Sequence, residues 1–172
     1  MLIQQNVNGS DAFNRSWAEF KVGFNDTRGN CWLGNDLLSQ LTQNGVYKLR
    51  FDLQERNGSW YWAEYGSFAV LSEAHNYKML ISWHSGNASD AFYYHDEMMF
   101  TTYDRDNDLW SNSSLNHNCA LLNGGGFWYK DCTWASVNTL RGRGFRWYTP
   151  WDFDPWSQPT FNLQSTRMWL MC

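Results

Sequence analysis

The 172-residue chain reads as an α+β domain. Three observations predict it. Two early segments repeat apolar residues at helical spacing, the chain then switches to strict alternation, and beyond about residue 84 regular periodicity fades until one closing apolar strand. The expected architecture is a twisted, mainly antiparallel sheet with short flanking helices plus a loop-rich binding subdomain. All of 1–172 belongs to one domain: a sheet-and-helix part over about 1–84 with a final strand at 166–171, and a loop-rich part over about 85–160.

The elements follow in order. "SDAFNRSWAEFKVGF" (10–24) opens on Ser10 and Asp11 and spaces Phe13, Trp17 and Phe20 by four and three, which predicts an amphipathic helix. "GNDLLSQLTQNG" (34–45) predicts a second, with Asn35 as cap, Leu37, Leu38 and Leu41 on one face and Gly45 at the end. Tyr47, Leu49, Phe51 and Leu53 then alternate with Lys48, Arg50, Asp52 and Gln54, the pattern of a half-buried strand. Arg56–Ser59 signals a hairpin turn, "WYWAEYGSFAVL" returns as its partner, and "YKMLISWHSG" reads as a third strand of an antiparallel meander. After residue 84, Gly, Asn, Asp and Ser dominate, but aromatics and two cysteines argue for an ordered, functional loop region.

Composition narrows the function. Aromatics make up 19% of the chain with 12 Trp; much of that should be core, and some should line a recognition surface, because Trp combines large contact area with a polar handle. A net charge of −4 argues against a general nucleic-acid or anionic-membrane binder, and no stretch approaches the length of a membrane-spanning helix. Asn-x-Ser/Thr triplets at Asn8, Asn14, Asn25, Asn57, Asn87 and Asn112 favour a secreted protein. "MLIQQNVNGSD" has no apolar signal core, which is expected of an excised domain or of a leader on a longer precursor. Four cysteines without a CxxC suggest two disulfides with three possible pairings. Cys119–Cys132, flanking "ALLNGGGFWYKD", is the first choice, and Cys31–Cys172 follows by elimination, free buried thiols being the alternative.

"TYDRDNDLW" (102–110) sets Asp104, Asp106 and Asp108 at alternate positions. It is not an EF-hand, because the sixth and twelfth positions are Leu109 and Leu115 rather than Gly and Glu. Alternate carboxylates in a loop can still converge on a hard cation, and a solvated acidic loop is the other reading. Nucleophile-elbow, zinc-protease, P-loop and dinucleotide motifs are absent, so no enzyme is expected. Asp152 and Asp154 in "WDFDPW" suggest a glycosidase pair only remotely; beside Pro155 they read as turn formers. His75, His84, His95 and His117 fall in no metal-ligand spacing, and His95 reads as structural.

Several ordered stretches together resemble the fibrinogen C-terminal-like domain family, which includes ficolins, tachylectins, tenascins and angiopoietins. They are "CWLGND", "YKLRFDL", "SDAFYYHDEMMFTTYDRDND", "CALLNGGGFWYKDC", "GFRWYTPW" and "FNLQSTRMWLM". "MLIQQ" sits where the family has Thr-Val-Ile-Gln-Arg, so the resemblance implies a domain without the usual small N-terminal subdomain. It also implies the Cys119–Cys132 bridge, while the family has no cysteine at Cys31 or Cys172. The resemblance implies a calcium site with side-chain ligands Asp106 and Asp108 and backbone carbonyls of Trp110 and Asn112, leaving Asp104 to order the loop. It implies a ligand pocket beside that loop, bounded by Phe127, Trp128, Tyr129, Cys132, Thr133 and Arg141, with a cis peptide bond at Asp131–Cys132. Thr133 stands where the family often has His, and Arg141 replaces an aromatic. With Arg143 and Arg146, it suggests an acidic ligand. The implied protein is a secreted, extracellular, calcium-binding, non-catalytic recognition domain, lectin-like toward glycans or acetylated or anionic groups in innate immunity or adhesion. The rival is a module that binds a protein ligand at the same pocket. Neither nucleic acid nor membrane insertion is expected. Family oligomers form through upstream segments that this sequence does not contain.

Overall fold

The structure is a computed structural model that describes residues 1–111, 117–143, 145–148 and 161–172. Its frame is one sheet. The strands are β1 (Leu2–Val7), β2 (Phe24–Asn25), β3 (Cys31–Trp32), β4 (Lys48–Glu55), β5 (Trp60–Val70), β6 (Met79–Gly86), β7 (Arg146–Trp147) and β8 (Phe161–Met171). They lie in the order β2-β3-β1-β8-β4-β5-β6, with β7 on β8, and every pairing is antiparallel. Helices α1 (Trp17–Val22), α2 (Asn35–Gln43) and α3 (Cys119–Asn123) are short. This is the expected α+β architecture.

The alternation over 47–54 becomes β4, with Leu49, Phe51 and Leu53 fully buried and the residues between them facing outward. The first and last segments carry more strand than their patterns suggest. β1 was not expected, because Gln4 and Asn6 are polar; both are buried. Gln4 Nε2 donates to Val137 O (3.1 Å), Asn138 Oδ1 (2.9 Å) and Thr166 Oγ1 (3.0 Å), and Asn6 Nδ2 donates to Val137 O (2.9 Å). These bonds pin the irregular 133–140 segment to the sheet without secondary structure of its own, and satisfy side chains that would be costly to bury unpaired.

The first predicted helix is broken. A 3-10 turn covers Asp11–Phe13, and α1 restarts behind Ser16, whose side chain accepts the Glu19 N–H while the Glu19 carboxylate takes the Ser16 N–H. That capping box stabilises a start at Trp17 better than continuation through Asn14 and Arg15. In α2 the cap position is Gly34 rather than Asn35, the helix ends at Gln43, and Leu37 points outward. Asn35 Oδ1 instead accepts the Trp32 indole N–H at 3.0 Å.

The core is aromatic. Trp32 and Trp128 are 5.8 Å apart by ring centroid, Phe20 meets Trp32 at 5.6 Å, and Phe100 meets Trp128 at 5.2 Å edge-on. Burying each such side chain is worth about 2–3 kcal/mol. Gly126 lies under Phe20, where an added Cβ would sit 2.6 Å from the ring. A Cβ on Gly125 would meet the Asn138 carbonyl oxygen at 1.9 Å. The glycine run thus brings backbone together in the interior.

Cys31 and Cys172 are free thiols, not the pair reached by elimination. Gln5 pairs with Cys31 on one side and with Arg167 on the other. Cys172 is therefore two strands across and five residues along, roughly 19 Å away at normal strand spacing. A disulfide spans about 4.4–6.8 Å between Cα atoms.

Candidate recognition site

The aspartate run leaves the sheet face after Thr101, which bridges to Phe127. Its side chains are shared between two helices. Asp104 Oδ1 accepts the Trp17 N–H at the start of α1 (2.9 Å) and the Thr102 hydroxyl (2.7 Å). Arg105 lies over the Trp17 ring at 4.0 Å and donates to Asn76 Oδ1 at 2.6 Å. Asp108 turns the other way: Oδ1 accepts the Trp110 N–H (2.9 Å) and Oδ2 the Cys119 N–H (2.8 Å). Asp106 Oδ1 accepts the Asp108 N–H at 3.2 Å. Asn107 holds the middle of the loop by donating to Phe100 O at 2.7 Å.

The electrostatics of the pair are one-sided. Partial burial raises the Asp108 carboxyl to about 6, against two backbone N–H bonds that lower it, and the Asp106 charge raises it further. Among the described residues neither Asp106 nor Asp108 has a Lys, Arg or His partner within 4.0 Å. No three His, Cys, Asp or Glu side chains gather anywhere among those residues. A cation at this loop would therefore rest on two carboxylates and backbone or water oxygens, a donor set that suits a hard ion. Asn112, assigned by resemblance to a carbonyl ligand, lies outside the described residues, as do Asp152 and Asp154.

The bridge Cys119–Cys132 ties this loop to the next one. Asn118 caps α3, its side chain accepting the Leu121 N–H at 2.9 Å and donating to Thr102 O at 2.9 Å. Beyond the bridge, the expected cis bond at Asp131–Cys132 is absent; no cis peptide occurs among the described residues. The reversal is made instead by Cys132 itself, at φ 51°, with the Lys130 N–H donating to Cys132 O at 3.1 Å. The Cys132 N–H faces Cys119 Sγ at 3.1 Å and is not aimed outward.

The expected pocket wall is corrected. Phe127, Trp128 and Tyr129 are almost fully buried, and Trp128 donates its indole N–H to Tyr77 O (2.8 Å) while the Tyr129 hydroxyl donates to Gly125 O (2.7 Å). They are core rings, because the short Thr101–Phe127 bridge draws this segment inward. Arg141 is exposed, its N–H donating to Gly9 O and its guanidinium to Gln164 on β8. Cys132 and Thr133 are half-buried; the Thr133 hydroxyl donates to Ala135 O at 2.8 Å.

An open cleft lies at α3. Trp110, Asn118, Leu121, Leu122, Asn123 and Arg143 line a space of about 630 Å³. Leu121 and Leu122 are about half exposed, and Arg143 crosses over to donate to Leu121 O at 2.7 Å. Sequence reading missed this leucine pair. The signal was a one-turn helix whose Cys119, Ala120 and Asn123 face inward, which leaves 121 and 122 outside.

His95 ties together the segments on either side of the Cys132 turn. It is fully buried, its Nδ1 donates to Trp128 O at 2.7 Å, and its Nε2 accepts the N–H groups of Trp134 and Ala135, each at 3.2 Å. Burial is the main cause holding its imidazole down at about 3, and the Lys130 charge adds to it. It is neutral and structural.

A sheet bearing ordered loops, an apolar cleft and a carboxylate pair defines a ligand-binding recognition domain. The chain belongs to the fibrinogen C-terminal domain family: residues 1–171 match the model described as fibrinogen beta and gamma chains, C-terminal globular domain. Human fibrinogen alpha chain is 36% identical over 185 residues, covering 99% of this chain and 20% of that protein. Human ficolin-3 is 37% identical over 139 residues, 80% of this chain and 45% of its own length. The chain thus spans less than half of either relative. Among solved structures, the fibrinogen-like globe domain of human ANGPTL2 superposes with a TM-score of 0.82 at 33% identity, covering 99% of this chain and 78% of that one. A lamprey fibrin D-dimer complexed with the peptide Gly-His-Arg-Pro-amide gives 0.79 at 27% identity, covering 98% and 60%.

Proposed function

We propose that this chain is a secreted, calcium-binding recognition domain that holds a glycan, or an acetylated or anionic group, in the cleft beside the aspartate loop. The observation that carries the reading is the Asp106–Asp108 pair, exposed at Asp106 and half-buried at Asp108, without a basic partner among the described residues, at the edge of the Trp110–Leu121–Leu122 cleft. A calcium ion would be held by Asp106 and Asp108 with the Trp110 carbonyl, neutralising the pair and stiffening the cleft wall before ligand arrives. Leu121, Leu122 and Trp110 would supply apolar contact. Arg143, which lines the cleft, would supply the positive charge for an acidic group there. Secretion is supported by the six glycosylation triplets and by kinship with fibrinogen and ficolin-3.

A second reading is a protein-binding module at the same cleft, favoured by the peptide named in the lamprey complex. A glycan array run with calcium and with EDTA separates them. Calcium-dependent glycan signal supports the first reading; a silent array together with calcium-dependent peptide binding supports the second.

A further inference from the structure

We infer that Arg105, clamped on Trp17, is a positioning residue that holds the aspartate loop ready for its cation; this rests on the calcium reading above. Arg105 sits between Asp104 and Asp106, where a positive charge should by simple repulsion weaken a cation site. Its geometry says otherwise. The guanidinium stacks 4.0 Å over the Trp17 ring, donates to Asn76 Oδ1 at 2.6 Å and lies 3.8 Å from Glu73. Glu73 is itself held by the Trp17 indole N–H at 2.8 Å and by Lys21. The Arg105 charge is thus spent on Glu73 and an aromatic face, away from Asp106. Its backbone closes the turn, exchanging hydrogen bonds with Thr102 at 2.9 and 3.2 Å. Asp104 makes a parallel anchor to the Trp17 N–H. Two consecutive residues are therefore bolted to α1, which leaves Asp106 to accept the Asp108 N–H and Asp108 to take the Cys119 N–H at the start of α3.

If the clamp is lost, residues 104–108 have to be ordered by the cation itself, and ordering even one residue's backbone lowers affinity about tenfold. The two accounts differ in sign. Repulsion predicts that removing the charge tightens calcium binding; positioning predicts that it weakens it. The experiment measures calcium affinity by titration calorimetry on wild type, Arg105→Met and Arg105→Lys, and amide exchange of Asn107 and Leu109 in EDTA. Arg105→Met is expected to bind calcium about tenfold more weakly and to exchange these amides faster. Arg105→Lys, which keeps a cation over Trp17 but lacks the fork to Asn76 and Glu73, should fall between. It carries the test if the methionine variant does not fold. If wild type binds no calcium, the calcium reading and this inference fall together. If wild type binds and the Arg105 variants bind as tightly or more tightly, this inference alone falls.

Discussion

Protonating His95 should destabilise this domain. The imidazole is closed in on both nitrogens: Nδ1 already gives its proton to Trp128 O, and Nε2 receives two N–H groups. A second proton at Nε2 would face those donors inside the core, with Lys130 adding repulsion. The folded value is about 3 against about 6.5 unfolded. Because the folded value is depressed, the contribution is complete above pH 6.5 and is lost as pH falls from there toward 3. Between pH 7 and pH 5 the loss works out at about 2 kcal/mol. Asp108 acts in the opposite sense, since its raised carboxyl is relieved of its burial penalty as pH falls through 6. The assay therefore compares urea unfolding at both pH values for wild type and His95→Gln, so that Asp108 cancels. Wild type should lose about 2 kcal/mol more than the variant. NMR should show the imidazole unprotonated at pH 5. Equal pH dependence in the two proteins, or a His95 midpoint near 6.5, would refute the reasoning.

Three other outcomes follow. Asp108→Ala and Asp106→Ala should weaken calcium binding in calorimetry far more than Asp104→Ala, which should chiefly lower Tm by freeing the start of α1; the reverse order would misplace the loop's register. Gly125→Ala should destabilise by about 3 kcal/mol in chemical denaturation, because its Cβ has no room beside the Asn138 carbonyl. An alkylating agent should label Cys172 rapidly and Cys31 slowly, since burial raises the Cys31 thiol, while Cys119 and Cys132 stay unlabelled by mass spectrometry until reduced; a Cys31–Cys172 peptide would contradict the sheet order.

The sequence by itself determined the strands whose burial is strictly two-sided. Leu49, Phe51 and Leu53 alternate because β4 has one wet face and one dry face, and that asymmetry is written residue by residue. It determined the family too, through ordered motifs from "CWLGND" to the final strand. Tertiary structure alone decided β1, since Gln4 and Asn6 can be buried only where Val137, Asn138 and Thr166 arrive from over 130 residues away to satisfy them. It decided which aromatics are core and which arginine faces the cleft. "FWY" after a glycine run looks like an exposed binding strip until the Thr101–Phe127 bridge pulls it inward. It separated Cys31 from Cys172 by fixing strand order, which no local pattern encodes. And it split the aspartate run, sending Asp104 to α1 and Asp108 to α3. Side-chain direction in a loop is set by distant backbone donors, here Trp17 N–H and Cys119 N–H, not by spacing.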